Sequence, residues 1–118
     1  MDVQKMISKV MKHSDSRKMG MIASHLGIVR ETSRGGDYVK YIDVIYDSEK
    51  LKKIIDDVSN LPGIIDVAVE TASGRLEIGD PVMAVVVGGD IRENVFPALI
   101  KAVERIKSEA CVKNESLQ

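Results

Sequence analysis

Six consecutive apolar residues, Val82-Met83-Ala84-Val85-Val86-Val87, constrain this chain more than any other stretch. Turn-forming clusters bound the run, Gly79-Asp80-Pro81 before it and Gly88-Gly89-Asp90 after it. A short valine-rich run between breakers reads as a strand. With no polar alternation, that strand has to be buried on both faces. The run falls far short of the ~20 apolar residues that a membrane-spanning helix needs.

The flanking sequence supplies elements to cover it. Val3, Met6, Ile7, Val10 and Met11 recur at helical spacing, predicting a short amphipathic helix over roughly 2–13. Its methionines suit core packing better than a binding face. Residues 20–30 read as a strand, with Gly27 marking a bulge or a close backbone approach. The polar, glycine-rich stretch Glu31 to Asp37 reads as a mobile loop. Tyr38 to Tyr46 alternates as a strand with one wet face. Asp47 or Ser48 then caps a helix with Leu51, Ile54, Ile55 and Val58 on its buried stripe, and Leu61-Pro62-Gly63 ends it.

Ile64 to Glu70 and Arg75 to Ile78 read as two further strands, and a last helix runs from about Ile91 to Glu109. Asp90 and Glu93 have capping-box spacing. Pro97 leaves two readings open: a helix kinked at the proline, or a later start capped by Asn94 that puts Pro97 in the first turn. Residues 110–118 are expected to form a flexible tail. The order α-β-β-α-β-β-β-α predicts one α+β domain over 1–118, with a mixed or antiparallel sheet packed against three helices.

The chain is 118 residues long, and its 17 Lys and Arg nearly balance 18 Asp and Glu, a net charge of −1. No global basic field is present, which argues against nucleic-acid binding as the main task. Aromatic residues are only 3%, so the core has to be built from Val, Ile, Leu and Met. A single cysteine, Cys111, excludes an internal disulfide and fits a reducing cytosol. The charged amino terminus does not resemble a signal peptide. The expectation is a cytoplasmic protein without membrane association.

Among groups capable of chemistry, His13 and His25 are far apart and have no partners at metal-ligand spacing, so neither a metal nor a cofactor is expected. His25, within a predicted strand, reads as a satisfied structural histidine. Gly88-Gly89-Asp90 lacks the lysine and the spacing of a phosphate loop, and reads as a plain strand-to-helix turn. Cys111 reads as an incidental thiol, since no histidine accompanies it. The cations carry more information. Arg30 ends a strand, Arg92 opens the last helix, and Lys107 and Lys113 lie near its other end. Arginine offers a planar fork for phosphate or carboxylate, and lysine a point charge or a proton.

The segment from Gly20 to Glu115 resembles the large subunit of molybdopterin synthase, a MoaE-like family. Gly27-Ile28-Val29-Arg30 is similar to that family's Gly-x-Val-Arg element, and Gly74-Arg75-Leu76-Glu77-Ile78-Gly79-Asp80 to its Gly-Arg-Leu-x-x-Gly-Asp/Glu element. The 82–87 strand, Arg92, the final helix, Lys107 and Lys113-Asn114-Glu115 follow in the same order. The match departs at Thr71-Ala72, where the family usually has His-Arg, and at Ile91, where it usually has His.

The resemblance implies an α/β hammerhead domain that dimerises and binds two copies of a small ubiquitin-like sulfur carrier, forming a heterotetramer. The carrier's Gly-Gly thiocarboxylate would enter a pocket and pass its sulfur to cyclic pyranopterin monophosphate, making molybdopterin. It implies catalytic roles for Lys107 and Lys113, and substrate-binding roles for Arg30 and Arg92. Two other readings stay open: a non-catalytic binding or assembly module on the same fold, and a ferredoxin-like ligand-sensing domain built on Leu51 to Val69.

Overall fold

The computed structural model describes residues 1–118. Its centre is β5 (Pro81–Gly89), which contains the apolar run and pairs on both edges. β1 (Met21–Ile28) lies antiparallel on one side, from Met21↔Gly89 to Ile28↔Pro81. β3 (Ile64–Thr71) lies antiparallel on the other, from Ile64↔Gly89 to Thr71↔Met83. Side chains alternate across a strand, so β5 feeds two cores at once. Ala84 and Val86 meet Met6 and Val10 of α1 (Val3–Met11) on one face. Met83, Val85 and Val87 meet α2 (Ser48–Ser59) and α3 (Arg92–Arg105) on the other, through Ile54, Val58, Val95, Ala98 and Ala102.

The helix starts follow local rules. Asp2 accepts from the Lys5 amide at the head of α1, and Asp47 from the Glu49 and Lys50 amides at the head of α2. The last helix starts at Arg92, so Pro97 is its sixth residue, inside the helix, and not in a delayed first turn. The expected pairing of Asp90 with Glu93 does not form. Asp90 instead accepts from the Ile91 amide at 2.6 Å and the Asn94 amide side chain at 2.9 Å.

Gly88 and Gly89 form a close-packed end to β5. A Cβ at Gly89 would lie 2.6 Å from the Gly63 carbonyl oxygen and 2.7 Å from Val95. The pair therefore serves packing, in keeping with the plain-turn reading.

The strands form two sheets, and all their pairings are antiparallel. The second sheet has the order β4-β2-β6, from β4 (Gly74–Glu77), β2 (Val39–Tyr46) and β6 (Cys111–Leu117). Its inner face buries Val39, Ile42, Val44 and Leu76 with Val29 from the end of β1. Set beyond the first sheet, it gives the molecule a long axis of 49 Å against 24 and 22 Å across.

Two expectations change here. A single sheet becomes two, and the flexible tail becomes β6, paired with β2 from Tyr46↔Cys111 to Val39↔Leu117. The polar residues of Lys113-Asn114-Glu115-Ser116 carry little strand propensity. Their order comes from the free edge of β2, a long-range partner that local pattern does not reveal.

Between α3 and β6 the chain makes a π turn, Ile106–Ala110, with Ile106 and Ala110 both buried. Ile106→Ala should cost about 2–5 kcal/mol in unfolding free energy, as a fully buried large-to-small change does. Urea titration followed by far-ultraviolet circular dichroism measures it.

Candidate functional site

The two sheets meet where β1 ends, β5 begins, β2 ends and β6 begins. Backbone hydrogen bonds fix this junction: Val29 donates to the Asp80 carbonyl at 2.9 Å, and Gly79 to the Val29 carbonyl at 2.8 Å. The Asp80 carboxylate accepts from the Glu77 amide at 2.8 Å, closing the turn between β4 and β5. Gly74 and Gly79 have φ of +93° and +91°, so glycine at both ends of this element meets a backbone need. Within it Leu76 is buried, and the Arg75 guanidinium lies 3.7 Å from the centre of the Tyr41 ring. The Gly74–Asp80 element is thus architectural, and its arginine is held on the second sheet.

Three of the four cations singled out from sequence lie around the junction. Arg30 follows directly on the buried Val29, and its Nε donates to the Thr32 carbonyl at 2.9 Å. Lys107 sits in the π turn immediately after buried Ile106, near enough to His25 on β1 for its charge to act on the imidazole. Lys113 lies on β6 opposite Val44 and shares its face with Cys111, two residues earlier.

Arg92 does not join them within one chain. It opens α3, whose far end leads to Lys107, so about 22 Å of helix separates the two positions. Its Nε bonds the Glu93 carboxylate at 3.1 Å, and its side chain is 78% exposed. There it lines an open cleft of about 430 Å³ with Gly20, Met21, Asp90, Ile91 and Phe96.

Two groups at the junction carry more than their sequence positions suggested. Tyr46 donates its hydroxyl to the Val82 carbonyl at 3.2 Å. Burial first, and then the nearby Cys111 thiol, raise the Tyr46 pKa well above its ordinary value, so the phenol stays protonated. His25 is the second. Its Nε2 is buried with no hydrogen-bond partner, so it is not the satisfied histidine expected from sequence. Burial, then the Lys107 charge, lower its pKa. Its place two residues ahead of Gly27, in the element that ends at Arg30, was the available signal. The strand assignment alone could not show that its ring nitrogen lacked a partner.

The turn that carries Lys107 is tied to its surroundings on several sides. Arg105 bonds Asp57 on α2 at 2.8 Å and Glu109 in the π turn at 2.6 Å, and Asp47 donates to the Ala110 carbonyl at 2.8 Å. No group of three or more His, Cys, Asp and Glu side chains comes together to hold a metal. No helix is long and apolar enough to cross a membrane.

Comparison with known proteins gives a consistent result. The model of the family described as MoaE protein matches residues 1–109. The fold is similar to molybdopterin synthase from Staphylococcus aureus, with 25% identity over 86% of this chain and 77% of that one, and a TM-score of 0.73. It is similar to the molybdopterin biosynthesis MoaE protein from Burkholderia ambifaria MC40-6, at 22% identity, 99% and 82% coverage and a TM-score of 0.78. A third similar structure is the complex of subunits 1 and 2 of molybdopterin-converting factor from Helicobacter pylori 26695, at 17% identity, 100% and 80% coverage and a TM-score of 0.73. No curated protein matches the chain.

The Arg105 cluster gives a pH dependence with a defined sign. Hydrogen bonds from Arg105 are the largest cause lowering the pKa of both Asp57 and Glu109. Carboxyls of lowered folded pKa stabilise fully above their unfolded values and lose that contribution as pH falls through the folded ones. Between about pH 5 and pH 3 the protein should therefore lose stability, and Arg105→Met should lose less over the same interval. Urea midpoints at the two pH values, for both proteins, measure the difference.

Proposed function

The chain belongs to the MoaE family, and from that premise we propose that it is the large subunit of a molybdopterin synthase. Its role is in molybdopterin biosynthesis. In the reaction we propose, sulfur passes from a carrier's C-terminal thiocarboxylate to cyclic pyranopterin monophosphate. What supports this reading is the family match together with where the cations sit along the fold: Arg30 follows buried Val29, Lys107 lies between buried Ile106 and Ala110, and Lys113 stands on β6 opposite Val44.

The chemistry suits these groups. A thiocarboxylate, a phosphate and a developing oxyanion meet in one site, and fixed positive charge stabilises all of them. Lysine can also supply a proton as C–O bonds give way to C–S bonds. In this reading Lys107 and Lys113 act on the reacting atoms, and Arg30 binds the anionic substrate. The partner is a small ubiquitin-like carrier ending in Gly-Gly. A two-subunit assembly is the state of the molybdopterin-converting factor from Helicobacter pylori.

Arg92 enters the same site only from a second copy of the chain, since α3 holds it about 22 Å from Lys107. A homodimer meets that requirement. The solvent-facing side of α3 supports it, with Phe96 and Ile100 one turn apart and exposed by 50% and 57%.

Incubation with thiocarboxylated carrier and cyclic pyranopterin monophosphate, scored for molybdopterin, tests the reading. Lys107→Ala should lower product formation by about 10²-fold or more with the thermal melt unchanged. Normal product formation by this variant would refute the assignment. Phe96→Asp combined with Ile100→Asp should yield a monomer by light scattering and lose the same activity. A variant that stays dimeric would remove this face from the interface.

A further inference from the structure

His25 lies on β1 with Met21, Ala23 and Gly27 on the same face, the one turned toward α3. The residues packed there from α3 and the π turn are apolar: Val95, Ala98, Ala102 and Ile106. β5 presents Val85 opposite His25, and α1 covers the other face of the sheet. The charged group of these elements whose field reaches the imidazole is Lys107. Arg105, two residues earlier, is committed to Asp57 and Glu109.

In this setting the His25 Nε2 is sealed from solvent and has no partner. Such nitrogens are rare in folded proteins, because desolvation removes a water bond and returns nothing. Gly27 lacks a side chain beside it, and a Cβ there would lie 3.4 Å from the nitrogen. Lys107, meanwhile, forms none of the molecule's ion pairs. The two groups are not hydrogen-bonded to each other in this structure, but the Lys107 charge is near enough to act on the ring, and turning the lysine stem is the motion that would join them.

We propose that His25 is a positioning residue for Lys107, its Nε2 lone pair accepting a hydrogen bond from the lysine ammonium and fixing that amine at the end of β1. The inference rests on the reading of Lys107 as a group that acts on the reacting atoms. The charge states agree with it. With its proton on Nδ1, a neutral imidazole offers Nε2 a lone pair, whereas an imidazolium would set two cations side by side. Burial and the Lys107 charge both favour the neutral ring. The lysine stem has wide rotamer freedom, and an effective proton donor has to be held in one place.

Two measurements on the full chain test this. Imidazole ¹⁵N spectra recorded across the His25 titration should show a midpoint below that of an ordinary histidine, with Nε2 unprotonated in the neutral ring. In Lys107→Met the Nε2 resonance should shift, and the His25 titration midpoint should rise. An unchanged resonance and midpoint in that variant would overturn the pairing.

The second measurement is kinetic. His25→Phe keeps a ring of similar size and removes the acceptor, so kcat should fall about tenfold while KM for the carrier and the thermal melt hold. His25→Gln, which restores an acceptor, should recover part of the loss. Wild-type kcat in His25→Phe, or equal losses in both variants, would overturn the positioning role. A wild-type chain that forms no molybdopterin would instead refute the enzymatic reading, and the spectra would still decide the His25–Lys107 pair.

Discussion

Burial of β5 on both faces is the constraint on which the rest depends. Each of its residues from Met83 to Gly89 is buried. Alternation sends Ala84 and Val86 to α1, and Met83, Val85 and Val87 to α2 and α3. A strand that hydrogen-bonds on both edges and packs on both faces has no freedom to slip, since a one-residue shift would exchange its two cores. β1 and β3 take their register from it. So does α3, which leaves the Gly88-Gly89 end of β5 and runs back along β1. The distance between Arg92 and Lys107 is therefore set by the core, through the length of one helix.

Much of this architecture was legible in the sequence because it is local. The apolar run, the stripes of α1 and α2, the Asp47 cap and the Leu61-Pro62-Gly63 stop each state their structure within a few residues. What was not legible is long-range. The division into two sheets depends on Tyr46 reaching the Val82 carbonyl and on Val29 packing with Val44 and Leu76. β6 depends on an edge of β2 that lies some seventy residues earlier in the chain. Its own residues are mostly polar, so neither periodicity nor propensity marks it. Pro97 shows the reverse case, in which tertiary packing of Val95, Ala98 and Ala102 carries a helix through a residue that disfavours it.

The candidate site divides the same way. Residue types and their order singled out Arg30, Lys107, Lys113 and Arg92, but not which of them gather. The first three lie on segments that lead into or out of the sheet junction, and Arg92 lies at the other end of α3. His25 was visible only as a residue on a strand, and its unpartnered nitrogen is a property of the packed structure. The Gly74–Asp80 element, informative as a marker of family resemblance, acts structurally through its glycines, Leu76 and the Arg75–Tyr41 stack.

The π turn connects these levels. Ile106 and Ala110, one turn apart, both stay in the core where the π turn gives way to β6. The Ala110 carbonyl then accepts from Asp47, the cap of α2, and Arg105 ties α2 to Glu109 inside the turn. Lys107 projects from a segment held at both ends by buried residues and across its back by an ion-pair cluster. One short segment thus finishes the first core, leads into the second sheet and carries the lysine between them.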